Sequence, residues 1–307
     1  MNGSATVQPM RRPAADPRAG RWRRAARAST TACAAAVTVS ALLVSSTSAG
    51  AALRPAVRPV PYYVAIGASD SVGVQPEPWD HHGVRTDEGY ADDLTRMERQ
   101  RWPGLRLADF GCPGITVQGA LDGVGSCPYP AGSEIATATD FIRAHRGDVA
   151  FVTVDLGFND IWPCLVRHTV DERCVGTNLV RIATELGTVL AELRAAGGTG
   201  LLVVGLEHAD PYVADALFGK ATFAKETVAV FERLNALLAA TYHATGAVVA
   251  SVPPTRGRAA GLHALVTVCA RTWMCTDDNV HPTPRGYHAI AEAIAAAIAS
   301  APSPPPS

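Results

Sequence analysis

Five short, nearly uncharged runs rich in β-branched and aromatic residues recur along this chain: Tyr62 to Ile66, Leu105 to Phe110, Val149 to Leu156, Leu201 to Leu206 and Ala247 to Val252. Each is too short for an ordinary helix and reads as a strand buried on both faces. Between them lie segments of helical periodicity. One starts near Glu88 and stops at Trp102-Pro103-Gly104, the next runs from Ser133 to His145, and a long one from Asn178 to Ala196 is ended by Gly197-Gly198. Phe223 to His243 and a closing helix from Pro284 to about Ala299, with Thr283 as cap, complete the set. Strands alternating with helices require a parallel sheet covered on both faces. The expectation is therefore an α/β fold, a three-layer α/β/α sandwich around a five-stranded parallel sheet. No break in composition divides residues 62–300, which are expected to form one domain.

In such sheets ligands sit at the carboxyl ends of the strands, so the residues placed there matter most. Gly67-Ala68-Ser69-Asp70-Ser71 breaks the first strand and puts the Ser69 hydroxyl at its end; Ser71, two residues on, reads as the start of a helix. Gly114 lies in the turn after the second strand, Asn159 after the third, and Asp278 with His281 after the fifth. Acyl transfer needs a nucleophile, a base, a group that fixes the base's tautomer, and donors for the oxyanion. Each part is available once at these strand ends. Asp277 competes with Asp278 for the carboxylate role, and spacing favours Asp278. Trp79, Tyr129, Trp162 and Tyr212 fall in loops above the same edge, as groove-lining or simply packing residues. His81 and His82, in a polar stretch read as a surface loop from Gln75 to Thr86, form a solvated pair rather than a metal site. No metal is expected.

The charged residues nearly balance, with a net charge of −1, and the arginines that cluster are confined to the first 27 residues. That argues against a nucleic-acid partner. Those arginines precede an apolar run from about Ala32 to Val44 and an Ala49-Gly50-Ala51 end, the layout of a secretory signal peptide over residues 1–51. The apolar run is too short for a comfortable membrane span, so no stable membrane anchor is expected. Of seven cysteines, Cys33 lies in this leader, and the other six form three couples close in sequence: Cys112 with Cys127, Cys164 with Cys174, and Cys269 with Cys275. An even count in an exported chain implies disulfides, and local pairing is the favoured connectivity among those possible. None of the couples has the roughly two-to-four-residue spacing of a structural zinc site. A Pro-rich lead-in occupies 52–61, and a Pro/Ser tail, 301–307, is expected to fray.

The ordered blocks G-x-S-x-S-x-G, Gly-x-x-Gly-x-Thr, G-x-N-D and D-x-x-H-P resemble the SGNH (GDSL-type) hydrolase family, and the resemblance spans nearly the whole chain after the leader. It implies a flavodoxin-like strand order and no metal or organic cofactor. It also implies Ser69 as nucleophile, His281 as base and Asp278 as the carboxylate that orients it. The oxyanion donors would be the backbone N–H groups of Ser69 and Gly114 and the side chain of Asn159. One position departs from the pattern: Ala68 stands where the family usually has Asp, which is expected to alter support of the nucleophile turn. The resulting expectation is a secreted, monomeric serine ester hydrolase acting on a small-molecule, lipid or glycan ester. The alternatives are a carbohydrate O-deacetylase and a catalytically weak glycan- or surface-binding module.

Overall fold

The computed structural model describes residues 60–77, 80–252 and 262–301. The leader, most of the lead-in, Trp79 and the Pro/Ser tail lie outside these residues, as do the side chains of His81 and His82. All described residues belong to one unit, 57–307.

The strands are β1 (Tyr62–Gly67), β2 (Gln75–Glu77), β3 (Asp80–Val84), β4 (Arg106–Asp109), β5 (Val149–Asp155), β6 (Val203–Leu206) and β7 (Val248–Ala250). Five of them form one sheet in the order β4-β1-β5-β6-β7, all parallel. Counting only these five in chain order, that is 2-1-3-4-5, the flavodoxin-like arrangement. The strand order reverses between β1 and β5, which places the switch point where Ser69 and Asn159 emerge.

The period-two alternation of β1 sorts its side chains cleanly between two cores. Tyr63 and Ala65 join Phe151 of β5 on one face, and Val64 and Ile66 join Val152 and Val154 on the other. The first face is covered by α1 (Tyr90–Glu98) and the C-terminal helix Pro284–Ser300, through Tyr90, Leu94, Ile290 and Ile294. Against the second pack α2 (Val117–Asp122), α3 (Glu134–Ala144) and, beyond a one-turn α4 (Phe158–Ile161), α5 (Glu172–Gly197) and α6 (Ala221–Ala244). Then come α7 (Leu262–Arg271), α8 (Met274–Asp277) and the C-terminal helix just named, α9. Thr283 caps α9 by accepting from the Gly286 N–H at 3.2 Å, with Pro284 in its first turn, and Ser133 caps α3 at 3.1 Å, both as the sequence implies. Each fully buried aliphatic or aromatic side chain in these cores contributes about 1.5–3 kcal/mol.

Local structure departs from expectation in five places. The Gln75–Thr86 stretch contains a short antiparallel hairpin, β2 with β3, rather than only a loop. Ser71 does not start a helix. It sits fully buried in the turn after β1, its hydroxyl donating to the Ala68 carbonyl at 3.1 Å and to Asp109 at 3.3 Å. The α2 and α7 segments, read as loops, are helical. The long α5 begins at Glu172, six residues earlier than its apolar periodicity suggests, because Asp171 accepts from the Cys174 N–H and caps it there.

Candidate active site

The turn leaving β1 is held from beneath by buried acids. Glu134 Oε1 accepts from the Gly67 N–H at 2.7 Å, and Asp109 accepts from the Gly111 N–H at 2.8 Å while receiving Ser71. Ala68, where the family pattern has Asp, is 8% exposed and packs into the hydrophobic core. In this chain the turn that carries Ser69 is tied instead by Glu134, directly, and by Asp109, through Ser71. Burial pushes the carboxyl of Asp109 up to about 6 and that of Glu134 well above its usual range.

Gly114 and Asn159 reach the same place by linked routes. Gly114 adopts φ 76°, and a Cβ built on it meets nothing within 4 Å. Gly157, with φ 115°, makes the left-handed step that turns the chain out of β5 into α4, which carries Asn159. The Asn159 amide donates one hydrogen bond to the Ile115 carbonyl at 2.9 Å, leaving its second N–H uncommitted. Asp160 Oδ2 accepts from the Val117 N–H at 3.0 Å, a second tie between the β4 and β5 loops. The disulfide between Cys112 and Cys127 braces the Gly114 turn, with a Cα–Cα distance of 5.9 Å.

His281 lies in the segment between α8 and α9, which is clamped to the end of α7. Its carbonyl accepts from Trp273 N–H at 3.1 Å, and Thr283 N–H donates to Arg271 at 2.9 Å. At His281 the hydrogen bonding seen in the structure differs from the expected set. The group on Nδ1 of His281 is Asn279, whose Oδ1 lies 2.7 Å away, and not Asp278. The same Oδ1 accepts the backbone N–H of His281 at 2.9 Å, an Asx turn. An oxygen that accepts both bonds makes Nδ1 the protonated nitrogen, so Nε2 keeps its lone pair. Asp278 closes α8 in a left-handed conformation, φ 50°, with its residue exposed. Burial lowers His281 to about 4.

Ser69, Gly114, Asn159, Asp278, Asn279 and His281 line one groove of about 580 Å³. Ser69, Asn159 and His281 also border a smaller enclosed cavity of about 70 Å³ behind them. Among the described residues, Ser69 and His281 share both cavities without a direct hydrogen bond in this state. Sequence reasoning missed the acid and imidazole behind the site. His208 Nε2–H donates to the Leu156 carbonyl at 3.1 Å, and its Nδ1 lies 3.6 Å from Asp155, which with Asp70 borders the small cavity. Burial raises both carboxyls, with the charge of Asp155 adding to the rise of Asp70 and that of Asp109 to the rise of Asp155. Trp162 and Tyr212 line the large groove. Tyr129 instead donates to the Phe110 carbonyl at 2.8 Å. The other two cysteine couples are also bonded, Cys164 with Cys174 and Cys269 with Cys275. Among the described residues no helix is long and apolar enough to cross a membrane, and no group of three or more His, Cys, Asp or Glu is arranged to hold a metal ion.

The extracellular lipase of Streptomyces rimosus superposes with a TM-score of 0.50 at 16% identity, over 77% of this chain and 99% of that one. An acetylxylan esterase from Geobacillus stearothermophilus gives 0.48 at 17% identity, over 78% and 94% of the two chains. At 16% identity the likeness to the lipase speaks to fold alone, and that to the esterase carries no argument. No curated protein matches the chain. The model of the GDSL-like Lipase/Acylhydrolase family matches residues 65–289. That match runs from inside β1 to inside α9 and takes in every strand end that feeds the groove, so the chain belongs to the GDSL-like lipase/acylhydrolase family.

Proposed function

We propose that this protein is an exported serine ester hydrolase that cleaves carboxylic esters through an acyl-enzyme. Ser69 Oγ attacks the ester carbonyl as Nε2 of His281 takes its proton. The carbonyl π electrons move onto oxygen, where the backbone N–H groups of Ser69 and Gly114 and the free N–H of Asn159 receive the charge. Asn279 holds the imidazole in the Nδ1–H tautomer throughout. Collapse of the tetrahedral adduct breaks the bond to the alcohol oxygen, which leaves with the proton from His281. Water, deprotonated by the same nitrogen, then releases the acid and restores Ser69. The observation that carries the reading is the meeting of Ser69, Gly114, Asn159 and His281, from four separate strand ends, in one groove. Export is supported by the basic and apolar leader together with the three disulfides. The test is hydrolysis of p-nitrophenyl acetate by the mature protein and its Ser69→Ala variant. The expected result is loss of at least about a thousandfold in kcat/KM; full activity in the variant removes the proposal.

A further inference from the structure

Ser69 follows β1 and His281 follows β7, and the loops that carry them are joined by a side chain that the reaction above does not use. The turn leaving β1 is fixed along its length by backbone hydrogen bonds. The Val74 N–H donates to the Ser69 carbonyl at 3.1 Å, the Tyr90 N–H to that of Asp70 at 3.3 Å and the Thr86 N–H to that of Val72 at 3.3 Å. Gln75, the first residue of β2, therefore leaves this turn from a set position, and its half-buried side chain crosses to the other loop. Its Oε1 accepts from the Trp273 indole N–H at 2.8 Å, and its Nε2–H donates to the Pro282 carbonyl at 3.4 Å. An indole nitrogen only donates and a backbone carbonyl only accepts, so both partners select the same orientation of the amide.

The far end of this bridge is the segment of His281 itself. The Trp273 N–H donates to the His281 carbonyl at 3.1 Å, while the Trp273 carbonyl accepts from the Asp277 N–H at 2.8 Å and the Asn279 N–H at 3.5 Å. Pro282 is the next residue after His281 and pairs with Thr272. A second, buried tie runs from the Tyr287 hydroxyl of α9 to the Val74 carbonyl at 2.7 Å. Ser69 and His281 both border the small cavity and share no direct hydrogen bond, so their separation is set by the loops that carry them.

Resting on the ester-hydrolase reading, we propose that Gln75 is a positioning residue: by bridging Trp273 and Pro282 to the turn of Ser69, its amide sets the distance and angle at which Nε2 of His281 meets the Ser69 hydroxyl. It acts through the imidazole and not on the substrate. A misplacement of about 1 Å between reacting groups costs on the order of a hundredfold in rate, which is the scale open to such a bridge.

The test uses two variants and p-nitrophenyl acetate. Gln75→Met keeps the length of the side chain and removes both bonds; Trp273→Phe removes only the donor to Oε1, and carries the test by itself if Gln75→Met does not fold by circular dichroism. In each, kcat is expected to fall about ten- to fiftyfold with KM held within about twofold. Beside His281→Ala, either substitution is expected to change the residual rate less than about twofold, because no imidazole is left to place. Unchanged kcat in the folded variants overturns the proposal. So does a loss carried by KM, or a loss that persists in full beside His281→Ala, which marks a general loosening of the Ser69 turn. In each of those cases hydrolysis that still depends on Ser69 leaves the ester-hydrolase reading standing. Hydrolysis that survives Ser69→Ala removes both.

Discussion

A neutral amide against His281 changes how the base responds to pH. A carboxylate on Nδ1 stabilises the imidazolium and raises its pKa, whereas burial against Asn279 leaves His281 at about 4. The base is therefore neutral, and competent, over the whole range above about pH 5. For a p-nitrophenyl ester, kcat/KM is expected to stay level from about pH 5 to 7 and to fall only below. Asn279→Asp supplies the missing charge and should move that acid limb up toward 6.5 or beyond. Asn279→Ala, which frees the ring to rotate, should lower kcat/KM about ten- to a hundredfold, while Asp278→Ala changes it less than about threefold. A pH–rate series on the three variants decides the matter; a large loss in Asp278→Ala with a small one in Asn279→Ala gives the orienting role back to Asp278.

At the scale of elements, the site is a set of loops fastened to strand ends. Cys112–Cys127 closes a loop with a sequence separation of 15 around the Gly114 turn. In the chain-entropy model a loop of this length contributes about 3 kcal/mol. Cys112→Ser with Cys127→Ser is expected to lower the urea-unfolding free energy by about that amount and to reduce kcat more than it raises KM, because the Gly114 donor loses its brace. Unchanged stability and unchanged kcat contradict it. This division between strands and loops also explains what the sequence made legible. The five sheet strands are readable because burial on both faces forces uniform β-branched runs, and Ser69, Gly114, Asn159 and His281 are readable because they stand at fixed offsets from those runs. The β2–β3 hairpin and α2 are short, and their propensity is weak. They exist through tertiary ties such as Thr116 capping Gly119 at 3.0 Å and Asp160 holding Val117. Asn279 escaped notice because its role depends on the turn geometry after α8, which spacing does not encode. Trp162 and Tyr212 are legible as aromatics in loops above the sheet edge, whereas Asp215 lies in an irregular 3-10 segment, Pro211–Phe218, where no periodicity singles it out.

For the whole molecule, the chain places several carboxylates in its interior, Asp70 and Asp155 among them at the cavity that Ser69 borders. Asp70 is raised by burial and by the charge of Asp155, Asp155 by burial and by the charge of Asp109, and Asp210 is pushed by burial up to about 7, from an ordinary value near 3.8. Folded chains thus hold protons that unfolded ones release, and stability falls as pH rises through this window. His281 and His208, both lowered by burial, act in the opposite sense but only below their unfolded value of 6.5. Thermal denaturation midpoints are therefore expected to decline steadily between about pH 6.5 and 9, and a midpoint that rises over that interval contradicts the burial of these acids. The groove itself depends on one hydroxyl more than on any other group. Intact mass after treatment with a fluorophosphonate, followed by peptide mapping, reads it directly: one phosphonyl group per chain, on Ser69, is the predicted result, and no adduct, or an adduct on another serine, contradicts the account.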